Sequence, residues 1–366
     1  MIRILVVDDS PLVRRLLAEV FRAAGDFEVA FARDGVEALE MLKSFEPHVI
    51  TLDVQMPRLN GLACLDRIMV ERPTPVVMLS SLTAEGAAET VEALALGAVD
   101  VVAKPSRAMS LEIEAFGPLL LETVRTAARA RIRRTHRLAE RVRSSLAAAV
   151  EPRPRDRART SRRPARLGVA GPATSSEAGL VVVGCSTGGP PALDALLAPL
   201  PADFPWPILV AQHMPRAFTG PLARRLDGLC ALEVTEVTAP TRVEPGKVYI
   251  ARGDADMILV RRAEGIFALS APAHPDHRWH PSVERLMESA RGVLPAQQLA
   301  GVLMTGMGSD GARAMAQLRA DGGWTCAESE ETAVVWGMPG ELVRAGGATV
   351  VAPLEEISAA LLAAPR

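Results

Sequence analysis

Two sets of side chains in this sequence have the types and the placement to do chemistry. The first is Ser186, His213 and Asp310. Ser186 stands in Gly184-Cys185-Ser186-Thr187-Gly188-Gly189, directly after the apolar run 180–183. A buried strand that breaks into a glycine-rich turn and then a helix exposes a serine at the turn, as in the G-x-S-x-G nucleophile elbow. A serine hydroxyl is a weak nucleophile at its own pKa and needs a base beside it. His213 offers one, because it closes the next apolar run in the order Ala211-Gln212-His213-Met214-Pro215, and adjacent parallel strands bring such residues to one sheet edge. Asp310 follows in Met304-Thr305-Gly306-Met307-Gly308-Ser309-Asp310-Gly311, again a strand, a glycine-rich turn and a helix start. It either orients the imidazole or caps its own helix, a role aspartate fills well. A strand followed by G-x-x-x-x-G and a helix also opens dinucleotide folds. Here the middle glycine is missing, and Gln212 and His213 stand near the place where a ribose would need an acidic residue.

The second set is Asp8 and Asp9 after the first apolar run, Asp53 after the third, Ser80 after the fourth, and Lys104 after the fifth, just before Pro105. In a parallel sheet these strand ends meet at one edge. Three carboxylates there repel one another, and a hard divalent cation such as Mg2+ relieves the repulsion. Asp53 is then placed as a nucleophile toward phosphorus, with Lys104 and the Ser80 hydroxyl suited to phosphoryl oxygens. Taken singly, Asp8-Asp9-Ser10 reads equally as an N-cap cluster for a helix after Pro11, and Lys104 as an exposed lysine. The agreement of five positions favours the phosphoacceptor site.

The elements that must hold these residues follow from the apolar pattern. Runs at 2–7, 27–31, 49–52, 76–79 and 101–103 read as strands, with amphipathic segments after the first four. Buried runs separated by helices are the mark of a parallel sheet covered on both faces. The expected fold class is α/β: an N-terminal doubly wound (βα)5 domain over 1–122, a basic Arg/Pro-rich linker over 123–178, and a C-terminal Rossmann-like α/β domain over 179–366. The last helix of the first domain is expected to start at Pro118, since proline suits a first turn. The second domain has further strands at 247–251, 257–260, 266–269, 300–304, 324–327 and 349–351, with an antiparallel insertion at 247–270.

Composition sets the outer bounds. The chain has 366 residues, 49% of them hydrophobic, and a formal charge of -2, which is globular and gives no sign of a charged partner. The linker carries many arginines but no aromatic residue lies between Phe116 and Phe204, so base stacking on nucleic acid is disfavoured. No apolar run approaches a membrane span of about 20 residues, and the start lacks a signal-peptide pattern, so a cytoplasmic protein without membrane insertion is expected. The four cysteines are scattered, without CxxC or zinc spacing, and are expected to be reduced.

The receiver-like constellation resembles that of response-regulator receivers, over about residues 1–106. The motifs GCSTGG, QHMP and TGMGSDGA together resemble those of the chemotaxis protein-glutamate methylesterases, the CheB family, over essentially the whole second domain. That resemblance implies Ser186 as nucleophile, His213 as general base and then acid, and Asp310 as the group orienting the imidazole, with Thr187 and the Met307 N–H as oxyanion or positioning groups. It implies hydrolysis of receptor glutamate methyl esters to glutamate and methanol without a cofactor, and deamidation of receptor glutamines. In the receiver it implies phosphorylation of Asp53 by a sensor histidine kinase. Mg2+ would be held by Asp9, Asp53 and the Gln55 carbonyl, with Asp8 acting through water, and the unphosphorylated receiver would cover the catalytic cleft. The implied partners are methyl-accepting chemotaxis receptors and that kinase. Two departures stand out. Trp279-His280 and Glu284 replace the family's His-Arg and aspartate in the segment 274–284, and Gln55 replaces an acidic residue. His274, His277 and His280 at three-residue spacing read as a surface loop, because the prolines around them break a regular ligand-bearing helix face. Two other functions stay open: a phosphorylation-dependent docking module with a silent hydrolase domain, and an esterase serving a different sensory array.

Overall fold

A computed structural model describes residues 1–81, 83–105, 110–132 and 179–365. The expectations for the linker beyond residue 132 lie outside these residues.

The N-terminal sheet contains β1 (Ile2–Val7), β2 (Phe27–Ala32), β3 (Val49–Asp53), β4 (Val76–Ser80) and β5 (Asp100–Ala103). All are parallel, in the order β2-β1-β3-β4-β5. Helices α1 (Pro11–Ala24), α2 (Gly35–Phe45), α3 (Gly61–Glu71), α4 (Ala84–Leu96) and α5 (Ser110–Ala127) cover its faces. The first four begin where side chains supply the missing acceptors: Ser10, Asp34, Asn60 and Thr83 each accept an amide of the first turn. Ser10 alone therefore caps α1, and Asp8 and Asp9 are left for other work. Pro118 does not open a helix. It lies inside α5, on an exposed position, where the carbonyl left without a donor can face solvent. Residues 123–127, assigned to the linker by composition, continue that helix.

The C-terminal sheet contains β6 (Leu180–Cys185), β7 (Ile208–Gln212), β8 (Glu233–Val237), β10 (Lys247–Ala251), β13 (Leu299–Leu303), β14 (Trp324–Glu328) and β15 (Val350–Ala352). It is parallel throughout, in the order β15-β14-β13-β6-β7-β10-β8. The antiparallel piece differs in composition from the one expected: β9 (Thr241–Arg242), β11 (Ala255–Arg262) and β12 (Gly265–Pro272) form it. Lys247–Ala251 pairs parallel with β7 and β8, since its apolar run is buried on both faces. Flanking helices are α6 (Gly189–Leu197), α7 (Arg216–Leu229), α8 (Val283–Val293), α9 (Ala312–Ala320), α10 (Met338–Arg344) and α11 (Leu354–Leu362). Helix α4 packs against α6 and α7, so the receiver-like domain is docked on the second one.

Candidate active site and phosphoacceptor site

Strand β6 lies between β7 and β13, so Ser186 emerges from the sheet with His213 on one side and the Asp310 turn on the other. Cys185 pairs with Gln212, which sets Ser186 and His213 at equal height. The sharp part of the turn falls on Gly188 (φ 78°), not on Ser186, which is absent from the left-handed region. The strained serine of a nucleophile elbow is thus replaced by a glycine that takes the positive φ without cost.

His213 Nε2 is 2.9 Å from Asp310 Oδ2. Asp310 leaves its own helix α9 without a side-chain cap. It sits instead at the start of α8, where it accepts from the amides of Val283 (2.6 Å) and Glu284 (3.1 Å) and from the Ser282 hydroxyl (3.0 Å). The capping alternative is therefore met on a different helix from the one its position in the sequence suggests. Burial pushes the Asp310 carboxyl up, but the His213 hydrogen bond and these amides outweigh it, and the carboxyl stays below its ordinary range. His213 Nδ1 is buried and has no hydrogen-bond partner among the described residues.

Sequence reasoning missed three participants. Gln212, buried to 1% exposure, donates through Nε2 to the carbonyls of both Ser186 and His213 at 3.0 Å, and accepts the Cys185 thiol. Its amide is saturated and ties the two turns together. Burial pushes the Cys185 thiol up, consistent with a packing residue and not a reactive one. Trp279 lies parallel to the His213 ring, with centres 6.0 Å apart. The segment around it is a loop, as expected. It is not merely surface: His280 Nδ1 bonds the buried Asp256 at 2.8 Å, and Glu284 Oε2 accepts the Gly311 amide. The third is Asp100, at the start of β5. It accepts the Thr187 hydroxyl, and the neighbouring Val99 carbonyl accepts the Gly188 amide at 3.0 Å. Thr126 of α5 donates to Met307 Sδ at 2.7 Å. Both residues named as oxyanion candidates are thus in contact with the N-terminal domain. Desolvation between the domains pushes the Asp100 carboxyl up, against the pull of the Thr187 hydrogen bond.

At the other sheet edge, Asp8, Asp9 and Asp53 bring one carboxylate oxygen each within 4.8 Å of the others. Lys104 Nζ is 2.7 Å from both Asp8 and Asp53. Burial pushes the Asp53 carboxyl above its ordinary range, opposed by Lys104 and reinforced by Asp8. Gln55 donates its amide to Asp53. Ser80 faces α4 instead of Asp53: its hydroxyl bonds Thr90 Oγ1 (2.7 Å) and the Gly86 carbonyl (3.2 Å). Among the described residues this is the only His/Cys/Asp/Glu group close enough to hold a metal ion, so the three histidines of 274–280 do not form a ligand set. All four cysteines are free, and no described helix is long and apolar enough to cross a membrane.

These features define a class: a receiver-type α/β domain docked on a second α/β domain that gathers serine, histidine and aspartate at one sheet edge. Comparison with known proteins agrees. Residues 4–115 match the response regulator receiver domain family and residues 181–361 the CheB methylesterase family. A protein of Rhodopseudomonas palustris (strain BisB18) named protein-glutamate methylesterase/protein-glutamine glutaminase 2 is 58% identical, over 99% of this chain and 98% of its own length. One of Rhodospirillum rubrum with the same name, numbered 3, is 49% identical over 99% and 95%. The crystal structure of the Thermotoga maritima CheB methylesterase catalytic domain is 37% identical over 51% of this chain and 98% of its own, with a TM-score of 0.49. The chain belongs to the CheB family of protein-glutamate methylesterases/protein-glutamine glutaminases.

Proposed function

We propose that the chain is a phosphorylation-activated esterase of the cytoplasm that hydrolyses glutamate methyl esters on chemotaxis receptors, with Ser186, His213 and Asp310 as its catalytic set. The observation that carries this reading is the 2.9 Å His213–Asp310 pair beside the turn that presents Ser186. Ser186 attacks the ester carbonyl as His213 takes its proton, and Asp310 holds the imidazole in one tautomer and stabilises the imidazolium. The oxyanion forms toward Thr187 and the Met307 N–H. Methanol leaves with the proton from His213. Water then attacks the acyl-enzyme with His213 again as base, and a glutamate carboxylate is restored. A glutamine side chain passes through the same acyl-enzyme with ammonia as leaving group, which is the glutaminase activity.

Control comes from the receiver. Asp53 accepts a phosphoryl group from a sensor histidine kinase. Asp9, Asp53 and the Gln55 carbonyl would hold Mg2+, with Asp8 acting through water. Three hard oxygen donors within 4.8 Å fit that ion. When bound, it supplies positive charge against the carboxylates and the incoming phosphoryl oxygens. Lys104 serves the same oxygens, and Ser80 reaches them by leaving its bonds to α4. Because α4 packs on α6 and α7, that move bears on the docking surface, and the contacts of Asp100 and Thr126 with Thr187 and Met307 support a docked receiver as the restrained state.

The test is methanol release from membranes carrying methyl-labelled receptors, run on the protein and on Ser186→Ala. The variant should fold normally and lose on the order of 10^6 in kcat, as nucleophile removal does in other serine hydrolases. A folded Ser186→Ala protein with full activity would refute the assignment.

A further inference from the structure

In the segment 274–284 the tryptophan, Trp279, stands against the imidazole of His213. The two rings are 6° from parallel with centres 6.0 Å apart, within the range of an offset aromatic pair. Three neighbours hold the indole there. On the Asp310 turn, a Cβ added at Gly308 (φ 83°) would stand 2.6 Å from the indole, so the ring lies directly on glycine backbone that no other residue leaves open. The Arg278 guanidinium covers the indole at 5.2 Å. The next residue, His280, is tied to the buried Asp256, which also accepts the Ser282 amide and pairs with Arg285. The loop is thus anchored immediately after the tryptophan.

The imidazole itself has a single polar anchor, Asp310 on Nε2, while Nδ1 has no partner among the described residues. One hydrogen bond leaves a ring free to swing about that contact. A flat surface parallel to the ring removes the freedom, and a base displaced by about 1 Å costs about 10^2 in rate. We propose that Trp279 is a positioning residue for His213: its indole fixes the plane in which the imidazole presents its second nitrogen to Ser186. The inference rests on the reading of His213 as the general base.

The experiment uses the full chain saturated with phosphodonor, with kcat and KM for methanol release measured separately. Trp279→Ala should lower kcat by about 10- to 100-fold with KM changed less than about twofold. Trp279→Phe, which restores a parallel ring, should recover kcat to within about threefold. The imidazole resonances of His213 should broaden in the alanine variant and stay sharp in the phenylalanine one, a signature that loss of loop packing alone does not produce. A wild-type kcat in Trp279→Ala, or a fall confined to KM, overturns the proposal. If that variant fails to fold, an unperturbed His213 resonance together with a fall of kcat beyond threefold in Trp279→Phe overturns it equally. His213→Gln is run alongside. If it retains activity, the base assignment itself has failed; if it is inactive while Trp279→Ala is normal, only the role of Trp279 has.

Discussion

Both sites sit at the C-terminal edge of a parallel sheet, yet their polar contacts are completed to different degrees. At the receiver edge, Lys104 already spans Asp8 and Asp53 at 2.7 Å, so the charged groups are assembled around the place a phosphoryl group would take. At the catalytic edge, Asp310 is held by three donors besides the histidine, but His213 Nδ1 is unpaired and the oxyanion candidates are in contact with the other domain. At the first site Lys104 is in place and Ser80 is turned toward α4; at the second the His213–Asp310 bond is in place and Nδ1 is unpaired among the described residues. On the proposed reading, the difference places control on the completion and exposure of the second site, through contacts made by the domain that carries the first.

The comparison breaks most severely at Asp310. Asp310→Asn should lower kcat by about 10^4 through loss of the orienting carboxylate, with the protein still folded because the asparagine oxygen in the Oδ1 position keeps the Ser282 hydroxyl and the Glu284 amide, and only the Val283 amide loses its acceptor. Unchanged turnover with a lowered melting temperature would make Asp310 a cap of α8 and nothing more. At the receiver edge, Asp53→Asn should incorporate at least tenfold less phosphate from acetyl phosphate in Mg2+ than the unaltered chain, since the only carboxylate placed as nucleophile is gone. Equal incorporation would mean that the acidic cluster has another use.

The interface gives smaller effects. The Asp100 carboxyl is pushed up in the docked state, chiefly by desolvation, so the docked state binds its proton more tightly than the undocked one. Its contribution to docking is complete below the ordinary value of 3.8 and is lost as pH rises through the raised one. Above that raised value a charge is buried against Thr187. Asp100→Asn removes that charge and should tighten docking, lowering the unphosphorylated esterase rate by a few-fold where the carboxyl is ionised and by less as the pH falls toward its ordinary value of 3.8. A ratio independent of pH would dissociate Asp100 from the restraint. The smallest effect is expected of Glu122→Gln, which cuts the exposed 2.6 Å pair with Arg278 across the domains. Exposed pairs contribute about 0–1 kcal/mol, so the unphosphorylated rate should rise less than about fivefold. A larger rise would make this pair a principal clamp.

What could be read from the sequence, and what could not, divides along the same line. Strands buried on both faces were legible as apolar runs, and with them the strand ends carrying Asp53, Lys104, Ser186 and His213. β8 was not, because Glu233, Thr235 and Glu236 alternate with its buried valines at the sheet edge. Lys247–Ala251 reads from the sequence as part of the antiparallel insertion, because a short apolar run carries no mark of strand direction. The start of α5 at Ser110 is hidden in the sequence because a proline on an exposed helix position, Pro118, looks locally like one in a first turn. The partners of Asp310 on α8, the stack of Trp279 on His213, and the reach of Asp100 to Thr187 join residues 27, 66 and 87 positions apart. Such contacts depend on how elements and domains pack, and no local pattern encodes them.

The central claim is that the docked receiver restrains the esterase and that phosphorylation of Asp53 releases it. Its most direct test is the rate of methanol release by the full chain before and after acetyl phosphate and Mg2+, with Asp53→Asn as the control. A rise on the order of 5- to 150-fold, the usual range of coupling between two sites, in the unaltered chain and none in the variant is the result predicted. An equal rate before and after, in a preparation shown to carry phosphate on Asp53, would contradict it.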